Sequence, residues 1–168
     1  MAETTTIRLL GVDDWQSFRR IRLEALRVEP SAFASTIEDW EPRPEEDWRR
    51  RLAQNPVLAA FRDGEPVGVM GLARERSSRM AHRAVIIMVY VRASERGSGL
   101  AAALLDALME HARTIGIRQL ELAVSVENPA AIRFYARHGF SEIGRIPGAF
   151  READKDVDEL LMARRITP

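Results

Sequence analysis

The sequence predicts a mixed α/β fold, on the strength of three observations. Residues 84–91 are a continuous apolar run, as expected for a strand that is buried on both faces of a sheet. A helical stripe follows, in which Leu100, Leu104, Leu108 and Ala112 recur every four residues. Strand and helix patterns then alternate towards the C-terminus. This order favours a mixed sheet with helices packed on it.

The first half of the chain predicts a strand, two helices and a β-hairpin. The acidic pair Asp13–Asp14 starts the first helix, and Glu29 ends it, because a residue before proline disfavours helical backbone. Pro44 and the acids after it start the second helix. Asp63–Gly64 is a type I′ turn signal between two apolar runs. The predicted elements are a strand at 6–10, helices at 15–28 and 44–54, and hairpin strands at 57–62 and 65–75.

The second half predicts two helices, each lying between strands. The later helix carries complete start and stop signals, because Asn128 suits the N-cap, Pro129 the first helical position and Gly139 the left-handed residue past the end. The predicted elements are a strand at 84–91, a helix at 99–115, a strand at 119–126, a helix at 128–138, and strands at 141–146 and 158–165.

Length and composition predict an ordinary globular protein. A chain of 168 residues, 46% apolar and 30% charged, fits one domain over residues 1–168. Basic and acidic residues both number 25, so the zero formal charge predicts no nucleic-acid or membrane partner. The N-terminal residues lack the basic and apolar segments of a signal peptide, and no apolar run approaches the ~20 residues of a membrane helix. We therefore expect a cytoplasmic protein.

The reactive residue types narrow the chemistry. The sequence contains no cysteine, which excludes disulfides, metal thiolates and an acyl-cysteine intermediate. His82, His111 and His138 lack the spacing of metal ligands, so we expect no metal. Any acyl transfer must avoid a cysteine-bound intermediate.

A glycine-rich loop, Arg96 to Gly99, joins the apolar strand at 84–91 directly to the third predicted helix. Glycines let the backbone approach a ligand, and the first N–H groups of a helix have no internal partner. The helix dipole adds partial positive charge there, yet the sequence places no acid in this helix before Asp106. We predict that an external anion, a phosphate or pyrophosphate, binds at this loop. An ordinary solvated turn is the alternative on this signal alone.

Tyr135 follows Asn128 by seven residues, so both side chains can face the same side of the helix. Such a tyrosine is either a functional group on that face or a core aromatic whose hydroxyl finds a partner. The glycine-rich loop upstream favours the functional role.

Both segments resemble the GNAT superfamily of acyl-CoA N-acyltransferases. Residues 96–101 are similar to its (Gln/Arg)xxGx(Gly/Ala) motif, and residues 128–140 to its second motif, N..A..FY...GF. The spacing between the motifs also matches, and the order of elements covers nearly the whole chain. The resemblance implies a three-layer α/β/α fold with about seven strands and four helices.

By the same resemblance, acetyl-CoA is the acetyl donor. Its pantetheine arm would lie against backbone groups of Val89, Tyr90 and Val91, and Asn128 would contact the pantetheine region. Tyr135 would stand beside the thioester sulfur. The residues that would hold the pyrophosphate are Gly97, Ser98, Gly99, Leu100, Ala101 and Ala102, with Arg96 at the loop entrance.

The reaction implied is acetyl transfer to a primary amine. It requires a neutral amine, a stabilised oxyanion and a proton for the departing thiolate. Tyr135 can supply that proton as general acid, since a phenol pKa near ~10 lies only slightly above a thiol pKa near ~8.5. A strand N–H near Val89 would hold the oxyanion. With no cysteine present, direct attack in a ternary complex is the simplest mechanism.

The general base is less defined. The strands that carry a glutamate in many relatives offer none at the matching position, where Ala123 stands. A water chain could serve instead. The side-chain candidates are Glu24, Glu38, His82 and Glu121.

The acceptor is equally open. By the resemblance, residues 15–40 should line the acceptor side, where Arg19 and Arg22 would suit a carboxylate and acids would suit a cationic amine. The candidate acceptor-binding residues are Glu24, Phe33, Glu38 and His82. A small-molecule amine, an amino-acid-like compound and a peptide N-terminus all fit, and pairing as a homodimer is left open.

Two other functions are weighed against acetyl transfer. Residues 97–102 also satisfy the GxGxx(G/A) pattern of nicotinamide dinucleotide-binding proteins, with Glu121 about 20 residues on. However, five residues separate Val91 from Gly97, and the motif at 128–140 would be unexplained. The missing base suggests a non-catalytic CoA-binding sensor, against which the presence of Tyr135 argues. A P-loop is excluded because no GxxxxGK[ST] occurs.

Overall fold

One mixed sheet of seven strands organises the molecule. The structure is a computed structural model that describes residues 3–167. Its elements are β1 (Thr5–Leu9), α1 (Trp15–Val28), α2 (Ile37–Trp40), α3 (Glu45–Gln54), β2 (Val57–Arg62), β3 (Glu65–Arg74), β4 (Arg83–Val91), α4 (Leu100–Thr114), β5 (Gln119–Ser125), α5 (Pro129–Arg137), β6 (Ser141–Glu152) and β7 (Lys155–Arg165). The strand order is β1-β2-β3-β4-β5-β7-β6, and only β4 and β5 pair in parallel. The predicted mixed α/β class is confirmed.

Helices cover both faces of the sheet. Alternate residues of β2 face opposite sides, so Leu58 and Ala60 join one core while Ala59 and Phe61 join the other. α4 packs in the first core with its leucine stripe fully buried. α1 and α3 supply the second core, where the rings of Phe18, Trp40 and Trp48 pack against one another. The result is the three-layer arrangement that the resemblance implies.

The sheet opens at its centre, between β4 and β5. These strands pair only over residues 83–85 and 119–121, although β4 continues to Val91 and β5 to Ser125. On its other side β4 pairs with β3 and has a bulge. Tyr90 pairs with Val69 and Ile87 with Gly71, so two residues of β4 lie opposite one residue of β3. Met88 lies in this bulge with φ +57°. The parallel strands therefore diverge and leave a cleft.

The last hairpin is longer than predicted. The sequence analysis predicted strands at 141–146 and 158–165, but β6 continues to Glu152 and β7 begins at Lys155. The pairing shifts between Ile146 and Phe150, so Pro147 and Gly148 are accommodated as a bulge. The Gly148 N–H donates to the Asp158 carboxylate of β7 over 2.8 Å. This local bond allows the strand to continue.

The segment after α1 also contains more structure than predicted. The sequence analysis predicted no element between the helices at 15–28 and 44–54, but α2 forms there as one helical turn. Asp39 accepts from the Thr36 N–H over 2.8 Å, as in a capping box. α2 places Trp40 in the core under α1. No helix within residues 3–167 has the length and apolar character needed to cross a bilayer.

Candidate active site

The cleft between β4 and β5 is a cavity of about 910 Å³. Its walls come from the divergent ends of both strands, the start of α5, the segment after α1 and the β6–β7 hairpin. Open α/β sheets bind ligands where neighbouring strands part. The predicted site residues that line it are Val89, Tyr90, Val91, Arg96, Ala101, Asn128, Tyr135 and Phe33.

The glycine-rich loop (96–99) adopts a conformation that favours glycine. Gly97 and Gly99 have φ of +79° and +85°, the left-handed region in which a side chain is strained. Gly99 is the N-cap of α4. The first backbone hydrogen bond of the helix is donated by the Ala103 N–H to the Gly99 carbonyl over 3.0 Å. The N–H groups of Ala101 and Ala102 therefore have no intrahelical partner. With no acid in this first turn, the loop can accept an external anion.

Two ion pairs hold this loop in place. Glu95, which is buried, accepts from the Arg62 Nε over 2.8 Å and fixes the loop from the sheet side. Arg96 pairs with Glu29 at the end of α1, and both residues line the cavity. The predicted entrance arginine thus joins α1 to the loop across the cavity.

Asn128 caps α5 as predicted, accepting from the Ala131 N–H through Oδ1 over 3.1 Å. The helix ends at Arg137, Gly139 beyond it has φ +84°, and the Phe140 N–H bonds back to the Tyr135 carbonyl over 3.0 Å. This is the Schellman pattern. It fixes the backbone of Tyr135 from one side while Asn128 fixes the start of the helix.

Tyr135 is 5% exposed, and its ring packs edge-on against Phe134 and Phe140. It lines the cavity, and within residues 3–167 its hydroxyl has no hydrogen-bond partner. Burial raises the pKa of Tyr135 well above that of an ordinary phenol. The hydroxyl therefore remains protonated at neutral pH and is available as a donor.

The four candidate bases do not line the cavity. The Glu24 carboxylate is held by Arg92 over 2.7 and 3.1 Å, and that of Glu121 by Arg83 over 2.6 Å. Glu38 is exposed on α2, and His82 precedes β4. Among the acceptor-binding candidates, Phe33 is the one that the structure places in the cavity wall.

Among the charged residues of the cavity wall that the sequence analysis did not single out are Arg51 of α3 and Glu159 of β7. Glu159 lies opposite Ser125 of β5, and burial raises its pKa. The alternation Val157, Glu159, Leu161 indicates an acid on an inward-facing strand position. Arg51 lies between Trp48 and Leu52 in the apolar stripe of α3, which is the corresponding signal for an inward-facing arginine.

Comparison with known proteins agrees with this arrangement. The model of the acetyltransferase (GNAT) family matches residues 15–140. The chain is 28% identical over 163 residues to the L-amino acid N-acetyltransferase AaaT of Escherichia coli, covering 94% of this chain and 96% of that protein. It is also 28% identical over 151 residues to the L-methionine sulfoximine/L-methionine sulfone acetyltransferase of Pseudomonas aeruginosa, covering 85% and 88%.

A solved structure shares the fold. The protein yncA of Salmonella typhimurium, solved with acetyl-CoA, superposes with a TM-score of 0.81 at 22% identity, over 98% of this chain and 95% of that one. The chain therefore belongs to the GNAT family of acetyltransferases, and the resemblance found in its sequence motifs is confirmed.

Proposed function

We propose that this protein transfers the acetyl group of acetyl-CoA to the primary amine of a small molecule in the cleft between β4 and β5. The observation that carries the proposal is that Tyr135 and the first turn of α4 open onto one cavity. Unpaired amides at that turn suit a pyrophosphate, and a buried phenol suits a departing thiolate.

The residues that would hold acetyl-CoA fit such a molecule. The left-handed glycines at 97 and 99 keep side chains away from the loop. The first turn of α4 contains no acidic residue that would repel an anion. The divergent edge of β4 offers backbone groups of Val89 and Val91 that β5 does not occupy, because the strands pair only up to residue 85. A pantetheine arm can bind there as an additional strand does.

The reaction proceeds by attack of the amine nitrogen on the thioester carbonyl carbon. As the carbon–sulfur bond breaks, Tyr135 donates its proton to the sulfur and acts as general acid. The chain has no cysteine to carry the acetyl group, which favours direct transfer between two bound substrates. Glu159 is the cavity carboxylate that can accept the proton released by the amine, because burial raises its pKa towards neutral pH.

Release of the free thiol of coenzyme A, followed with a thiol reagent over a panel of amines, tests this function. The assay is free of protein background because the chain contains no cysteine. We expect thiol release that depends on both the protein and the amine. Binding of acetyl-CoA without amine-dependent release would identify a sensor, and tighter binding of NADH than of acetyl-CoA would overturn the proposal.

A further inference from the structure

Arg22 of α1 is the most deeply buried guanidinium-bearing side chain in the cavity wall. It is 3% exposed, and its Nε and Nη1 make no hydrogen bond. The guanidinium carbon lies 4.4 Å from the ring centroid of Trp40 and 4.9 Å from that of Phe33. Aromatic faces stabilise the cation, but they leave its hydrogen-bonding groups unsatisfied. A buried, unpaired charge is normally avoided unless function requires it.

Arg51 of α3 lies beside it. Its guanidinium carbon is 4.1 Å from the Trp40 centroid, and both arginines line the cavity. Burial and the charge of Arg51 lower the pKa of Arg22 to about 10, so Arg22 remains charged at neutral pH. The structure therefore holds three like charges around one indole ring, because the Arg43 guanidinium carbon also lies 5.5 Å from the Trp40 centroid. Residues 3–167 provide no ion pair for Arg22 or Arg51, the two that line the cavity.

We propose that Arg22 and Arg51 form an anion subsite that binds the carboxylate of an α-amino acid, which is the acetyl acceptor. The inference rests on the acetyl transfer proposed above and specifies its acceptor. A carboxylate between two guanidinium groups would supply the charge-assisted hydrogen bonds that Arg22 lacks within the protein.

The position of this pair separates it from the coenzyme A phosphates. α1 and α3 belong to the core on one face of the sheet, whereas α4 belongs to the core on the other. The free amides of the first turn of α4 serve the pyrophosphate from that second face. The arginine pair is therefore left for the second substrate.

The acids of the cavity favour an acceptor that also carries an amine. Glu29 is paired with Arg96, Glu127 with Lys155, and Glu152 accepts from Ser31. Glu159 lines the same cavity and, within the described residues, has no such partner. Two cations without an ion pair and one carboxylate without a hydrogen-bond partner are complementary to the two ends of an amino acid zwitterion.

Kinetics with the free α-amino acids, and with the α-carboxamide of the best one, test the subsite. We expect kcat/KM for the amino acid to exceed that for its carboxamide by about tenfold or more. In Arg51→Gln, KM for the amino acid should rise about tenfold, while KM for acetyl-CoA and for the carboxamide stays unchanged. Arg22→Met should behave in the same way. Arg50→Gln is the matched control, because Arg50 pairs with Asp47 over 2.8 Å and lies outside the cavity wall.

The outcomes separate this inference from the general function. Equal use of acid and carboxamide, or unchanged kinetics in both arginine variants, would overturn the subsite and leave acetyl transfer standing. A rise in KM for acetyl-CoA would assign the arginines to the donor and overturn it too. If no amine is acetylated, calorimetry of the amino acids decides: binding that Arg51→Gln weakens supports the subsite, and no binding to the natural sequence overturns it.

Discussion

The two ends of the cavity are built in different ways. At the α4 end, the proposed ligand-binding groups are backbone amides at 97–102, a stretch from which Ala101 lines the cavity. At the α1 end, the proposed groups are the side chains of Arg22, Arg51 and Glu159, which come from three separate elements. A backbone cradle suits the part of a substrate that never changes, such as a coenzyme. A side-chain pocket can be altered one residue at a time, which suits a variable acceptor.

The largest effect should come from the residue that is proposed to protonate the departing sulfur. Tyr135→Phe removes the proposed general acid but leaves the packing against Phe134 and Phe140 intact. We expect kcat to fall by about 100- to 1000-fold, or about 3 to 4 kcal/mol in activation free energy, with little change in the affinity for acetyl-CoA. Steady-state kinetics and calorimetry measure the two quantities. Normal turnover of Tyr135→Phe would show that Tyr135 is a core aromatic and that α5 supplies no catalytic residue at this position.

Glu159 provides the next test, and its sign follows from its burial. The pKa of this carboxyl is raised, so a base at this position is protonated at low pH and becomes active as the pH rises through that value. Replacement by glutamine should lower kcat/KM by about 30-fold at neutral pH and remove this ionisation from the acid limb of the pH profile. Glu142→Gln, at an exposed position of β6, is the control. An unchanged acid limb in Glu159→Gln would show that water, and not Glu159, accepts the proton released by the amine.

The difference between the two ends also explains how far the sequence could predict the site. The glycine-rich loop and the capped helix from Asn128 to Gly139 are contiguous, and their roles follow from neighbours along the chain. The acceptor end depends on distant partners: Glu121 is excluded as a base by Arg83, 38 residues away. Arg51 and Glu159 line one cavity only because the fold brings α3 and β7 to the same cleft. The extra length of β6 similarly depends on Asp158 of β7.

Arg22, at the side-chain end of the cavity, can also be tested through the stability of the protein. Its lowered pKa, about 10 against 12.5, means that the unfolded chain holds this proton more tightly than the folded one. The charge therefore destabilises the fold below pH 10, and this cost disappears as the pH rises towards 12.5. Arg22→Met should raise the free energy of unfolding at pH 7 by about 2 kcal/mol.

Arg83→Met is the matched comparison, because it removes an arginine that has an ion-pair partner and should change the free energy of unfolding in the opposite direction. Arg83 holds Glu121 over 2.6 Å, so its loss should lower the free energy of unfolding slightly, because the carboxylate then keeps only the Gln119 side-chain amide as its partner. Urea titrations of both variants give the two signs. A loss of stability in Arg22→Met would show that its stacking on Trp40 outweighs the cost of the buried charge.

The smallest expected effect concerns the backbone cradle. Ala102 lies in the first turn of α4, where an added acid would oppose a bound pyrophosphate although no existing side chain is lost. Ala102→Glu should weaken coenzyme A binding about tenfold at low ionic strength, and less as salt is added, because the repulsion is screened. Ala102→Gln has nearly the same size without the charge and should bind almost normally. Calorimetry at two salt concentrations compares them. Equal affinities for the two variants would mean that the phosphates lie elsewhere, and the cavity would then need side chains at both ends.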